Sequence, residues 1–378
     1  MRLTRAQLYP LEIPLMRPIK MSGETVTHAQ TLLLCLTDEE GREGWGEASS
    51  APLMTGETLG SIVESTAYLT GQLMAAQFGS AQGIAPLQEK VLYGNSSAKS
   101  CHEIALMDLL ARRSGVPLYR MLNPRLAAPA RIEMLHMLAS GSLESELEEA
   151  HALRAQGYRH WKIKVGAGDA AGDVRRVRGL SEALRGDLLS ADANTALTPQ
   201  AAMAIAQAGA QSGLAFLEQP YPAGSVSAMA ELHRASGIVL CADESIQGTD
   251  DILAHHAAGA AQGVSLKLIK LGGLLPTLAA GRLCLERGMR LNLACKVAET
   301  TVSAAATAHV GFALNDIAWG FSMSNRYLQA DVCDEPLAPV GGAIRAEQLE
   351  RPGLGFAPKA ERLRDFASAT WKLRELRP

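Results

Sequence analysis

From about Arg131 onward, short apolar segments recur at a nearly constant interval, and that rhythm restricts the fold more than any other property of the chain. The segments read IEMLHML, HWKIKV, DLLSADAN, LAFLEQP, IVLCADES, GVSLKLIK, MRLNLAC and IAWGFSM. They recur about every 25 residues, the length of one strand plus one helix. Between most of them lie alanine-rich amphipathic stretches such as PQAAMAIAQAGAQSG and LPTLAAGRLCLERG. Eight strands alternating with helices predict an α/β chain with a (β/α)8-type barrel.

The first third has another character. TLLLCLTDEEGREGWGEAS reads as strand, acidic turn and strand, a hairpin around Asp38 to Gly44. Helical periodicity follows from Leu59 to Met74 and again in SCHEIALMDLLARRSGVPLYRML, where Gly115 and Pro117 stop the helix. The segment from Pro339 to Pro378, with Gly341, Gly342, Gly353 and Gly355, predicts irregular structure and then a short helix. A chain of 378 residues accommodates a barrel and an accessory domain. A net charge of −3 with no basic cluster argues against nucleic acid or an anionic membrane as partner. No apolar run is long enough to span a bilayer, and the first 20 residues carry charges and prolines that a signal peptide lacks. The six cysteines are scattered without a CxxC pair, as expected of reduced thiols in a cytoplasmic protein.

In a barrel of this kind, functional groups collect at the C-terminal ends of the strands. Read in order, those ends carry Lys162 and Lys164, then Asp192 and Asn194, Glu218, Asp243 and Glu244, and Lys267. Taken singly, each has an ordinary reading: an Asp caps a helix, Glu218 is a loop acid, Lys162 snorkels to solvent. The register of the set is what points to chemistry. Closure of the barrel gathers three acids, flanked by lysines, around one opening. Converging carboxylates need a compensating charge, and an oxygen-only set suits a hard divalent cation, Mg2+ with Mn2+ as a substitute, better than zinc or copper.

The segment HWKIKVG places Lys162 and Lys164 on the same face of a strand. Beside a divalent cation, a carboxylate substrate accepts negative charge as an enediolate when its α-proton leaves. A lysine near other cations is more easily deprotonated and can act as the base, with Lys162 supplying that push to Lys164. Lysines on the second and sixth strands face each other across the barrel, one on each side of the α-carbon.

With these residues in place, the chain resembles the enolase superfamily and, within it, the muconate lactonising enzyme (muconate cycloisomerase) subgroup. The resemblance covers nearly the whole length. It rests on GWGEAS and LMTGET, on ALMDLLARRSGVPLYRML, and on the ordered motifs KIK, DAN, EQP, DES and KLIKLGG. It implies a (β/α)7β TIM-like barrel with an α+β N-terminal capping domain completed by the C-terminal segment. The expected divisions are 1–128 for the cap, 129–340 for the barrel and 341–378 for the returning segment. It further implies Asp192, Glu218 and Asp243 as Mg2+ ligands, supported by Asn194 and Glu244. Lys164 and Lys267 become the acid/base pair, and Lys162 tunes Lys164 and touches the substrate carboxylate. Loops near Pro18 to Val26 and Ala51 to Thr58 would close over the substrate, bringing Met21 and Thr55 to it. A homo-oligomer is expected by analogy only.

The reaction stays open between cycloisomerisation of a diacid, the leading expectation, racemisation or epimerisation of an amino-acid or proline derivative, and acid dehydration. The eighth strand, AWGFSMSNRYL, offers Ser322 and Ser324 but no acid. That disfavours dipeptide epimerisation, because dipeptide epimerases of this subgroup hold the substrate amino group with aspartates there. The seventh strand ends CKVAETTV, adding Lys296 and Glu299 as substrate-binding candidates. With Lys296, Arg17 and Arg326 available, the expected substrate is a small carboxylic acid bearing a second anionic or polar group. A non-catalytic ligand-binding barrel is the distant alternative, and it would tolerate loss of Lys164 or Lys267.

Overall fold

The computed structural model describes residues 1–21, 24–126 and 131–378, with only the backbone of Lys20, Met21 and Glu24. The expected 128/129 boundary and part of the Pro18 to Val26 loop lie outside the described residues.

The alternating segments form eight parallel strands, each hydrogen-bonded to the next in sequence. They run Leu135–Leu138, His160–Lys164, Leu188–Asp192, Phe216–Glu218, Leu240–Ala242, Gly263–Leu266, Arg290–Ala294 and Phe321–Ser322. A single parallel bridge, Met134 to Phe321, joins last to first. Two predicted strands are reshaped. IEMLHML is shared between sheets: Arg131–Glu133 pairs antiparallel with Ala343–Arg345, and only then does the first barrel strand begin. GVSLKLIK is strand only to Leu266, after which Leu268–Leu271 is one helical turn. There Leu268, Ile269 and Lys270 are all buried, and the turn closes at Gly272, whose amide donates to the Leu268 carbonyl.

The barrel's seam is tied at the mouth by side chains. Arg326 Nη1 donates to His136 Nδ1 (3.0 Å) and to the Tyr158 hydroxyl (3.2 Å). Because a guanidinium only donates, His136 turns its Nε2–H to Glu149 Oε1, 2.9 Å away.

The cap is a four-stranded antiparallel sheet in the order Arg374–Leu376, Leu3–Met21, Glu24–Asp38, Glu43–Ser49. The turn between Glu24–Asp38 and Glu43–Ser49 is held by Asp38 Oδ1, which accepts from the Glu40 and Arg42 amides at 2.9 Å. Helix Ser96–Arg113 lies on strand Glu43–Ser49 so closely that a Cβ on Gly44 would strike the Ala105 carbonyl, and one on Gly46 the Cys101 carbonyl. The alternation in GWGEAS therefore gives one face to backbone contact and the other to Trp45 and Glu47.

Buried carboxylates join cap to barrel. Glu47 accepts from Thr31 Oγ1, from Thr300 N and Oγ1, and from Ser303 N, all within 2.9 Å. It thus caps helix Thr301–Leu314, which follows the seventh strand. Glu103 accepts from the Leu274 and Leu275 amides and caps helix Leu274–Glu286, which follows the sixth. A helix N-terminus presents unpaired N–H groups and partial positive charge, so a carboxylate there repairs both deficits. The six cysteines are buried and unpaired. Among the described residues no helix is long and apolar enough to cross a membrane.

Burial pushes the Glu103 carboxyl up to about 8, the two amides offsetting it only in part. The folded chain then binds this proton more tightly than the unfolded chain. Its contribution to stability is complete below about pH 4 and is lost as pH rises through about 8. Glu103→Gln removes that titration while keeping one acceptor at the helix end. Urea midpoints measured between about pH 5 and 8.5 should decline less steeply in Glu103→Gln than in the parent chain.

Candidate active site

Trp161 and Ile163 of the second barrel strand are fully buried. Strand alternation sends Lys162 and Lys164 the other way, into the barrel mouth. The parallel ladder sets Lys164 beside Asp192 and Asp192 beside Glu218, so one lysine and two acids form a row across three strands. Lys164 Nζ donates to Asp192 Oδ2 (2.6 Å) and Asn194 Oδ1 (2.5 Å). Lys162 Nζ stands 2.5 Å from Glu218 Oε2. Asn194 Nδ2 in turn donates to Glu244 Oε1 at 3.1 Å. On the far side Lys267 donates to Asp243 Oδ2, and Lys270 donates to Asp243 Oδ1 (2.6 Å). The two lysines from HWKIKVG are thus kept apart by carboxylates rather than set against each other.

Gln219 holds the fifth-strand turn in place. Its Oε1 accepts from Asp243 N (2.8 Å), Ser245 N (3.3 Å) and Ser245 Oγ (2.9 Å), and its Nε2 donates to Tyr221 O (2.9 Å). Gln219 and Asn194 both adopt positive φ, 35° and 39°. Such backbone is costly for residues other than glycine and survives only where its surroundings enforce it.

Burial and charge pairing compete in this pocket. Burial, reinforced by Asp192 and Asp243 and only partly offset by Lys162, pushes Glu218 up to about 7. Burial and Asp243 push Glu244 up as well. Burial would strip the proton from Lys162, but Glu218 and Asp192 reverse the effect and hold it above its ordinary value. Lys267 behaves likewise, with Asp243 and Glu244 overcoming burial. Raised acids and raised lysines report the same condition: this pocket holds positive charge tightly. Against burial, Lys164 and Lys162 keep Asp192 low, and Lys267 and Lys270 keep Asp243 low. For Lys270 itself burial outweighs Asp243 and the shift is downward.

These groups surround a cavity of about 80 Å³. Its floor carries Lys162, Lys164, Asp192, Glu218, Asp243 and Lys267; Asn194 borders it, and Glu244 joins only through Asn194. Leu135 and Met137 of the first strand and Met54 of the cap form an apolar wall. Lys296 and Ser322 line it too, and the Ser322 hydroxyl is buried without a hydrogen-bond partner. Glu299 stands behind the wall, 3% exposed, its carboxylate accepting from the Lys296 amide at 3.0 Å. Thr55 turns away as well, donating to Ala51 O and accepting from Ser97 Oγ, while its neighbour Met54 meets the cavity. The Met21 side chain lies outside the described residues. Arg326 is committed to the barrel seam, and Arg17 is exposed. A larger cleft, about 940 Å³, lies between cap and C-terminal segment. Its Arg42, Arg112 and Lys359 are already paired with carboxylates.

Sequence reasoning passed over Met54, Met137 and Tyr327, which line the cavity, and Lys270 and Gln219, which hold Asp243 from behind it. For Lys270 a signal was present. On a strand, residues three apart face opposite ways, but on a helical turn they share a face, so the spacing in KLIK brings both lysines to Asp243 once Leu268–Leu271 is helical.

Comparison with known proteins gives a consistent result. Residues 145–362 match the family described as enolase C-terminal domain-like. Residues 5–123 match the mandelate racemase/muconate lactonizing enzyme N-terminal domain. The chain is 30% identical to muconate cycloisomerase 1 of Rhodococcus opacus, over 91% of this chain and 93% of that protein. It is 25% identical to the N-succinyl-L-Arg/Lys racemase of Bacillus cereus, over 82% and 84%. A dipeptide epimerase from Cytophaga hutchinsonii, solved with Mg and the dipeptide D-Ala-L-Val, superposes with a TM-score of 0.89 at 24% identity, covering 99% and 100%.

Breaking a buried ion pair leaves a charge without compensation. Glu218→Gln, which leaves Lys162 only Asp192 Oδ2 at 4.0 Å, should cost about 3–5 kcal/mol in chemical denaturation. The double variant Lys162→Met, Glu218→Gln should recover most of that loss.

Proposed function

The chain belongs to the mandelate racemase/muconate lactonizing enzyme family of the enolase superfamily and is an isomerase of that superfamily, and we propose that it removes the α-proton of a small carboxylic acid with lysine acid/bases. The observation that carries the proposal is the placement of Lys164 and Lys267 in one buried pocket, on strands four apart in an eight-stranded ring. That separation puts them on opposite sides of anything bound between them.

Enzymes of this family use a divalent metal, and the residues here suit Mg2+ in chemistry. Their donors are carboxylate and amide oxygens, the preference of a hard cation. Glu244 Oε2 is buried without a hydrogen-bond partner, and Glu218 Oε2, though close to Lys162, receives no well-directed bond. Among the described residues no three His, Cys, Asp or Glu side chains already stand at the spacing of a metal cage, since ammonium groups sit against the oxygens. Asp192, Glu218 and Asp243 would hold the cation once those ammonium groups yield, with Asn194 and Glu244 in support. When bound, the cation supplies positive charge beside the substrate carboxylate, stabilising the enediolate as the α-proton leaves.

The remaining steps fall to the chain's own residues. Three carboxylates (Asp192, Glu218, Asp243) face four lysines (Lys162, Lys164, Lys267, Lys270), and Glu244 joins them through Asn194. The one carboxylate bound at the cation brings a single negative charge against the cation's two, so the site gains surplus positive charge, any second acidic group of the substrate lying at the far end of the cavity. The surplus is relieved when one lysine is neutral, the state a base needs. Lys162 stays charged and meets the substrate carboxylate. Lys164 and Lys267 take and return the proton on opposite faces.

Among reactions that pass through this enediolate, we favour cycloisomerisation of an unsaturated diacid, the Rhodococcus opacus relative being a muconate cycloisomerase: the far carboxylate adds to the C=C, and a lysine ammonium then protonates the α-carbon, the reverse reaction being the one that removes the α-proton. The eighth strand presents Ser322 where an acid would be needed to hold an ammonium, and Lys296 offers a cation to a second acidic group. Lysines on both faces favour a second reading, racemisation of an N-acylated amino acid or proline derivative.

Proton NMR in D2O with Mg2+ should show α-deuteration of one member of a panel containing muconate, N-acyl amino acids and proline derivatives. Removing the metal with EDTA should stop exchange, and restoring Mg2+ should restart it. Lys164→Ala and Lys267→Ala should each slow exchange by about 10²–10⁴-fold. Wild-type exchange rates in Lys267→Ala would defeat the two-lysine assignment.

A further inference from the structure

Lys270 is the most deeply buried member of the lysine–carboxylate set, with a side chain 0% exposed, and it does not border the cavity. Its ammonium has three protons and three acceptors: Asp243 Oδ1 at 2.6 Å, the Asp243 carbonyl, and the Ser265 carbonyl at 3.2 Å. Every donor is committed, so Lys270 has nothing left for a substrate.

Its location is just as fixed. The ladder between the fifth and sixth strands pairs only Cys241 with Gly263 and Ala242 with Val264. Lys270 continues that connection beyond the last rung, binding a residue that follows one strand to a residue of the other. The turn carrying it ends at Gly272 and Gly273, with φ of 89° and 133°. A Cβ on Gly273 would run into the Glu103 carboxylate that caps the next helix. Cap, helix and turn therefore hold the ammonium against Asp243 from behind.

We infer that Lys270 is a positioning residue: it ties down one oxygen of Asp243 so that the other, Oδ2, which accepts from Lys267 at the cavity, is aimed at the divalent cation once that ammonium yields. The inference rests on the reading of Asp243 as a cation ligand. It assigns Lys270 no contact with substrate and no part in proton transfer. An untethered Asp243 carboxylate rotates, and a ligand whose oxygen is not held binds metal less tightly.

Mn2+ titrated into the full-length protein, followed by electron paramagnetic resonance, tests the inference without a substrate. Lys270→Met, of similar length but uncharged, should weaken Mn2+ binding about tenfold or more and broaden the bound-ion spectrum. Far-UV circular dichroism should report an intact fold. If Lys270→Met does not fold, Lys270→Gln keeps a donor for Asp243 and should show a smaller loss of the same kind. A folded variant that binds Mn2+ as tightly as wild type, or more tightly, would overturn the positioning role even if its melting temperature fell. Wild-type protein that gives no bound Mn2+ signal would overturn the metal reading itself, leaving Lys270 a plain buried counter-ion.

Discussion

A charged group removed from water must find its opposite within hydrogen-bonding distance, and the barrel mouth is arranged around that requirement. Isolated burial of an ammonium or carboxylate costs several kcal/mol even after relaxation. Here lysines of the second strand reach acids of the third and fourth, and two lysines following the sixth converge on the acid of the fifth. The pairing is lateral, so it depends on strand register. Slipping the second strand by one residue would turn both lysines outward and leave Asp192 and Glu218 without partners. Register, burial and charge are therefore one constraint seen at three scales.

The same rule joins the domains. Glu47 and Glu103 leave the cap and enter the N-termini of two barrel helices, where amides and hydroxyls replace the water each carboxylate gives up. A carboxylate in such a place is directional: it fits only if the helix ends where the cap expects it. That makes cap orientation a consequence of hydrogen bonding as well as apolar contact. Met54 is carried on the cap, so the apolar wall of the cavity inherits its position from those contacts.

Much of this was legible in the sequence because it is periodic or local. Eight segments of constant spacing gave the strands, and the ends of five of them gave the lysines and acids that the structure gathers around one cavity. The hairpin at Asp38 was readable because an acidic, glycine-containing turn writes its own hydrogen bonds. What escaped was long-range or depended on a change of backbone state. Nothing near Glu47 indicates that its partners lie more than 250 residues away at Thr300 and Ser303. Lys270 escaped because an apolar run was read as strand to its end, whereas the backbone turns helical at Leu268 and stops at the paired glycines Gly272 and Gly273. Glu299 and Thr55 carry the right chemistry at nearly the right place, but side-chain direction at a strand end is decided by neighbours: Lys296 for one, Ala51 and Ser97 for the other.

The barrel is not equally closed all the way round. The eighth strand is two residues long, and its contact with the first sheet edge is one bridge plus the Arg326–His136–Glu149 relay. A segment held by side chains can be exchanged more freely than one held by a ladder, because few backbone bonds are lost when its course changes. Ser322 sits on that segment, facing the cavity. Ser322, which lines the cavity, is thus carried by the shortest stave of the barrel, whereas Lys162, Lys164 and Asp192 sit on a five-rung ladder. Such a division would let the cavity lining at Ser322 change with little disturbance to the row of Lys164, Asp192 and Glu218.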